Sequence, residues 1–265
     1  MRSPPLDCRS AARDLGADAK VPAVTFGFWI IKIAATTLGE TGGDTVSMTL
    51  GLGYLVGTAI FAAALIGFII AQIAAKRFHP FLYWATIIAS TTAGTTLADF
   101  ADRSLGIGYL GGSLLLLACV IASLLTWRLV AGSVAVETVA TPRAEAFYWI
   151  TITISQTLGT ALGDWVADSG PGYAGGALIF GAGLAVLVTL YFTTSVSRVT
   201  LFWLAFILTR PLGATVGDFL DKPVAEGGLA FSRPLATLVL AAFIVIAILL
   251  LPQRPGRHPA AVGTR

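Results

Sequence analysis

The sequence predicts an all-α membrane protein, a polytopic bundle of about eight transmembrane helices in four two-helix repeats. Three observations carry this. The chain of 265 residues is 56% hydrophobic and only 12% charged. Soluble domains carry about 25% charged residues, so this chain has too few to cover a water-facing surface. Apolar runs such as 105–127 and 235–251 approach the roughly 20 residues that span ~30 Å of hydrocarbon at ~1.5 Å per residue. Finally, the chain repeats itself. Trp29, Trp84, Trp149 and Trp203 are each followed ten residues later by Gly39, Gly94, Gly159 or Gly213, and fifteen residues later by Asp44, Asp99, Asp164 or Asp218. Self-similarity of this kind is the signature of a tandem array.

The hydrophobic segments fall at about 23–41, 50–75, 81–99, 105–127, 146–164, 172–194, 199–218 and 229–251. The predicted organisation is an N-terminal tail 1–21, a transmembrane domain 22–251 and a C-terminal tail 252–265. Repeats span approximately 22–75, 80–127, 145–194 and 199–251. Odd segments contain Ser, Thr and Gly and end near an acid, whereas even segments are almost wholly apolar. Six to eight residues after each Trp lie hydroxyl side chains: Thr36 and Thr37; Ser90, Thr91 and Thr92; Ser155 and Thr157; Thr209. Beside the neighbouring Gly, such small residues let helices cross closely, and their hydroxyls can also line a polar path. Gly51–Tyr54, Gly106–Tyr109 and Gly170–Tyr173 read as turns into the even helices. They are not phosphate loops, because no strand precedes them and no Lys-Ser/Thr follows.

The net charge of +3 does not mark a nucleic-acid binder, since the basic residues flank apolar runs instead of forming a patch. They read as topology determinants. Arg2, Arg9, Arg13, Lys20, Lys76, Arg77, Arg128, Arg143, Arg198, Arg254, Arg257 and Arg265 lie at one set of helix ends, and Arg103, Lys222 and Arg233 at the other. This asymmetry predicts cytoplasmic termini and puts the repeat Asp on the outer side. The four Trp then read as interfacial anchors on the cytoplasmic side. Cys8 and Cys119 offer neither metal spacing nor a disulfide framework. His79 and His258 flank membrane segments, so no Ser/His/Asp set forms, and no nucleotide or metalloprotease motif is present. The expectation is a non-enzyme without a cofactor.

The Trp start, the Thr/Ser–x–Gly step and the closing acid after a small residue, four times over, resemble a bacterial membrane-protein family. That family is defined by a tandem repeat of unknown function with two transmembrane regions and a characteristic Trp. The stretches Trp29–Asp44, Trp84–Asp99, Trp149–Asp164 and Trp203–Asp218 carry the likeness, which covers about 22–251. The resemblance implies a bacterial inner-membrane location and supplies no activity or ligand. The fourth repeat departs by placing Arg210 and Pro211 where others have Thr or Gln, which suggests a kink and a distinct role.

Candidate site residues follow from the cost of charge in lipid, roughly 3 kcal/mol for Asp at the bilayer centre and less near the interface. Asp44, Asp99, Asp164 and Asp218 are read as a ring of carboxylates around an outer-facing cavity that the four repeat Gly also surround. Such a ring suits oxygen-seeking cations, with Mn²⁺, Mg²⁺ and Ca²⁺ as candidates. The competing reading is that each Asp simply ends its helix. Glu40 lies one turn before Asp44 and would share its face. Asp102, Asp168 and Asp221 read as solvated loop charges. Lys32 and Arg210 lie deep in apolar runs, where charges face the bundle interior and pair with acids or backbone carbonyls; one or the other is read as a displaceable counter-ion for an acid of another repeat, against a static ion pair that fixes packing. The resulting expectation is a secondary transporter or exporter of a small cation, divalent and Mn-like among the possibilities, in contact with the lipid bilayer. The alternative is a non-transporting membrane scaffold, sensor or complex subunit.

Overall fold

The structure, a computed structural model, describes residues 19–256. The predicted tails fall largely outside the described residues, and with them Cys8, His258, Arg2, Arg9, Arg13, Arg257 and Arg265. Eight α-helices run through the described residues: α1 Phe26–Asp44, α2 Gly53–Ala74, α3 Pro80–Asp99, α4 Tyr109–Ala131, α5 Pro142–Asp168, α6 Gly172–Thr193, α7 Arg198–Asp221 and α8 Arg233–Leu250. This is the all-α bundle the sequence predicts.

Local sequence sets the helix boundaries. Side chains of Thr25, His79, Thr141 and Ser197 accept hydrogen bonds from backbone N–H groups at the starts of α1, α3, α5 and α7. Pro80 and Pro142 occupy first turns, where a missing N–H is harmless. At their far ends α1 and α3 widen into π-turns, Thr45–Thr49 and Phe100–Ser104. The chain then reverses through Gly51 (φ 69°) and Gly53 (φ 77°), a left-handed backbone that glycine adopts without a Cβ clash. The helix α7 continues through Pro211 as a single element.

The inner helices α1, α3, α5 and α7 form a closed ring, each packed on the next and α7 on α1. Each outer helix packs chiefly on the inner helix of the following repeat: α2 on α3, α4 on α5, α6 on α7, and α8 back onto α1. Every repeat therefore covers its successor, and the array closes into a pseudo-fourfold bundle. Five helices, α2, α4, α6, α7 and α8, are long and apolar enough to cross a membrane. Only 11% of the apolar stretch is buried in α2, α4 and α6 and 17% in α8, against 56% in α7, so the outer helices present their surface to lipid. This explains why the inner segments tolerate polar residues: the outer layer shields them.

The repeat Gly residues are the crossing points of the inner ring. A Cβ added to Gly39 would lie 2.3 Å from Thr91 Cγ2, to Gly159 2.2 Å from Arg210 Cγ, to Gly213 2.2 Å from Thr36 Oγ1, and to Gly94 2.9 Å from the Thr157 backbone nitrogen. The sequence reading that these glycines surround a cavity is corrected. They are filled by neighbouring helices, because without side chains the helix axes approach too closely to leave space.

The tryptophans also need correction. Trp84, Trp149 and Trp203 are buried, and Trp29 is partly so. They close one end of the bundle together with the residue before each Trp. Phe28 packs on Trp84, Tyr83 on Trp149, Tyr148 on Trp203 and Phe202 on Trp29, with centroids 5.4, 5.7, 6.3 and 5.7 Å apart. The pattern is again cyclic. An interfacial anchor leaves its indole N–H among headgroups, but here Trp84 Nε1 donates to Gln253 Oε1 (3.1 Å) and Trp203 Nε1 to the Val134 carbonyl (2.9 Å). At the same end Lys20 forms an ion pair with buried Glu145 (2.7 Å).

Candidate functional site

The four-repeat symmetry makes the site readable layer by layer, from the aromatic end to the Asp end. Three residues after the Trp stand Lys32, Ile87, Ile152 and Phe206, all wholly buried. Among the described residues Lys32 does not meet an acid. Its Nζ crosses to Gln156 Oε1 (3.4 Å) and lies 4.1 Å from the centroid of the Phe206 ring. The expected carboxylate partner for Lys32 is therefore replaced by an amide and an aromatic face, because the nearest position on the opposite helix carries Gln.

Arg210 does pair with an acid of another repeat. It stands seven residues after its Trp, as do Thr36, Thr91 and Gln156 in the other repeats. From there its side chain passes over Gly159 and delivers the guanidinium into the next layer. Both terminal nitrogens lie 3.1 Å from Glu40 Oε2. One of them also donates to Thr95 Oγ1 and Thr160 Oγ1, each at 2.5 Å. Glu40, Thr95 and Thr160 are equivalent residues, eleven after their Trp, and the fourth equivalent is Ala214. A single arginine thus serves three repeats from the axis, and the fourth repeat supplies Ala214, which packs over Gly163 of the neighbouring helix.

One turn further lie Asp44, Asp99, Asp164 and Asp218, between 1% and 5% exposed. They converge, as the sequence reading expects, but on bases. Arg103 Nε is 2.8 Å from Asp99 and its terminal nitrogen 3.6 Å from Asp164. Lys222 Nζ is 2.7 Å from Asp44 and 3.0 Å from Asp218. Arg103 and Lys222 are themselves equivalent, nineteen residues after their Trp, where repeats one and three have Met48 and Asp168. Each base bridges the Asp of its own repeat to that of the next. Bases therefore occupy alternate junctions of the ring. The Asp44–Asp99 and Asp164–Asp218 junctions have none from this position.

Arg233, at the start of α8, approaches Asp44 (3.7 Å) and Asp221 (3.5 Å). Burial of the Lys222 amine opposes its charge, but Asp218 and Asp44 outweigh that effect and raise its pKa above the usual lysine value. Carboxylate oxygens of Glu40, Asp44 and Asp99 come within 4.8 Å of one another, and so do those of Asp44, Asp218 and Asp221. Either trio could supply oxygen ligands to a cation.

Two sequence readings change here. Asp221 is buried within the cluster, whereas Asp168 remains solvent-exposed and Asp102 partly so. Arg103, Lys222 and Arg233, read as topology determinants, are members of the charge cluster. The signal for the first two lay in the sequence, since Asp99–Arg103 and Asp218–Lys222 are i,i+4 pairs on a helical face. The contact of Arg233 with Asp44 had no such signal, because it depends on α8 folding back onto α1.

Fold and site together define a polytopic membrane helix bundle with internal fourfold repetition and a buried ion-pair cluster at one end. The family model described as Repeat of Unknown Function (DUF347) matches residues 27–78, 82–133, 147–197 and 201–253, and the chain belongs to that family. No curated protein and no solved structure matches it.

Proposed function

We propose that the protein is a gradient-driven transporter of a small cation, with the Asp end of the bundle as its ion site and no enzymatic activity. One observation carries the proposal. Six buried carboxylates, Glu40, Asp44, Asp99, Asp164, Asp218 and Asp221, gather with four bases, Arg103, Arg210, Lys222 and Arg233. Two negative charges remain over. In a site shielded from water such an excess calls for protons or a cation. A divalent ion with oxygen ligands, Mn²⁺ among them, has the charge and chemistry to satisfy it. Internal repetition around an axis is a common construction of secondary transporters. The aromatic layer at the opposite end supplies a closure for alternating access.

The Lys/Arg asymmetry favours cytoplasmic termini, with the aromatic end inside and the Asp end outside, in a bacterial inner membrane. The competing reading, a scaffold, sensor or complex subunit, draws on the same ion pairs as a fixed lock. Purified protein in proteoliposomes, loaded with a fluorescent indicator and challenged with Mn²⁺, Mg²⁺, Ca²⁺ or a proton gradient, separates the two. The proposal expects flux that Asp99→Asn and Asp164→Asn each reduce at least tenfold. Absence of flux for every ion, with both variants folded and indistinguishable from wild type, would leave the scaffold.

A further inference from the structure

The fourfold pattern breaks at one tryptophan. Trp84 and Trp203 donate their indole N–H groups to chain segments that lie over them, and Trp149 is buried. Trp29 is only partly buried and lines a groove of about 820 Å³ between α1, α6 and α7. That volume falls within the range of ~300–1,000 Å³ typical of ligand sites. Trp29 and Ile33 of α1, Leu184 and Leu187 of α6, and Phe202 and Ala205 of α7 form its walls. Phe26 and Phe192 also line it and are exposed, so the groove opens sideways on the surface of the bundle.

The groove is sorted along its length. Arg198, the first residue of α7, and Glu137, in the linker between α4 and α5, line one end, and Thr209 lies eleven residues further along α7. That separation is ~16 Å at ~1.5 Å per residue, about the depth of one leaflet of a ~30 Å hydrocarbon core. Among the described residues Glu137 pairs with neither Arg198 nor Arg254, although it shares a cavity with each, and Arg198 has no carboxylate partner. Arg198 instead stacks on the Tyr191 ring, 4.1 Å from its centroid, and donates to the Tyr191 carbonyl, which uses one of its N–H donors. The helices α1 and α7 both begin at this end, and helix N-termini favour anions.

We infer that the groove holds one membrane phospholipid of the phosphatidylethanolamine class, with an acyl chain along Trp29, Ile33 and Leu184, the phosphate on Arg198 and the headgroup ammonium on Glu137. The bound lipid covers Trp29 as the chain itself covers Trp84 and Trp203. Apolar walls alone accept any hydrocarbon chain. The two unpaired charges of opposite sign supply the selection, because a phosphate meets the guanidinium as a charge-assisted acceptor. A lipid with a phosphate and no amine leaves Glu137 unpaired beside a second negative charge, which disfavours it. The inference concerns the outer surface of the bundle and not the carboxylate ring, so it holds or fails whether or not the protein carries a cation.

The test uses the full chain, delipidated in detergent, with no transport readout. Phosphatidylethanolamine and phosphatidylglycerol with identical acyl chains are titrated in turn, and bound lipid is counted by native mass spectrometry. The expected result is a one-to-one complex that forms about tenfold more tightly with phosphatidylethanolamine. The same lipid should raise the unfolding temperature saturably, since a ligand of the folded state stabilises it by mass action. Arg198→Gln should weaken binding of both lipids. Glu137→Gln should erase the preference for phosphatidylethanolamine without weakening phosphatidylglycerol, a result that general damage to the fold does not produce. Ala205→Trp, which fills the groove, should abolish the one-to-one complex. Wild-type protein that binds the two lipids equally, that carries a statistical spread of lipids with no one-to-one species, or that buries this face in a lipid-free dimer overturns the inference, whatever the variants do. So does an Arg198→Gln protein that keeps wild-type affinity for phosphatidylethanolamine.

Discussion

Arg210 and Glu40 meet on the axis of the bundle, with both terminal guanidinium nitrogens 3.1 Å from a single carboxylate oxygen and both residues buried. They lie 170 positions apart in sequence and come from the last and first repeats. The pair therefore closes the ring chemically as α7 against α1 closes it sterically.

Breaking this pair from one side should be more damaging than removing it whole. Arg210→Met strands the Glu40 charge, and Glu40→Gln strands the guanidinium. Each single change is expected to cost about 3–5 kcal/mol, the usual penalty for leaving a buried ion unpaired. The double variant should recover a clear part of that loss. Unfolding of all four proteins in detergent gives the coupling energy, and additive losses would mean that the two charges act independently.

The glycines at the crossings should be intolerant of even one methyl group. Gly159→Ala places a carbon 2.2 Å from Arg210 Cγ, so α5 and α7 must separate or Arg210 must move. Overpacking of this kind costs about 1–3 kcal/mol. Gly67 on lipid-facing α2 has nothing within 4 Å of its would-be Cβ, and Gly67→Ala should stay within about 0.5 kcal/mol of wild type. Unfolding temperatures measured side by side check the contrast.

Alternation of bases around the Asp ring can be completed by design. Asp168 stands where Arg103 and Lys222 stand in their repeats, and its side chain is exposed. Asp168→Lys should bridge Asp164 to Asp218 as Lys222 bridges Asp218 to Asp44. A stability gain of about 0.2–1 kcal/mol is expected from a partly exposed pair. Under the transport reading, cation flux should fall in the same variant, because the added ammonium takes the place of the carried ion. Higher stability with unchanged flux would detach the ring from transport.

The Tyr83 and Tyr148 hydroxyls, 2.6 Å apart in the buried aromatic layer, form a hydrogen bond with no solvent to replace it. Tyr83→Phe or Tyr148→Phe alone should cost about 1–3 kcal/mol, because the surviving hydroxyl is left unpaired. The double Phe variant should lie closer to wild type than either single one. A double-mutant cycle on unfolding free energy measures this directly.

Much of the fold was legible in the chain because lipid imposes a simple rule: an outer helix must be apolar and about a bilayer long. The Trp–Gly–Asp spacing also announced the repeat and named the residues that gather at the two ends. It could not say which way the indoles turn. Trp at a segment end reads as an interfacial anchor, and only the packing of Phe28, Tyr83, Tyr148 and Phe202 against the next repeat's indole shows that the rings point inward.

The sequence alone determined the class of protein, the four copies and the presence of acids that lipid would reject unless they were shielded. Tertiary structure decided that each outer helix covers the following repeat, that Arg103, Lys222 and Arg233 join the carboxylates, and that Arg210 finds Glu40 while Lys32 finds no acid among the described residues. The reason is physical. Hydropathy and helical period are local properties written residue by residue, whereas a buried charge takes its partner from whichever helix the closed ring sets beside it.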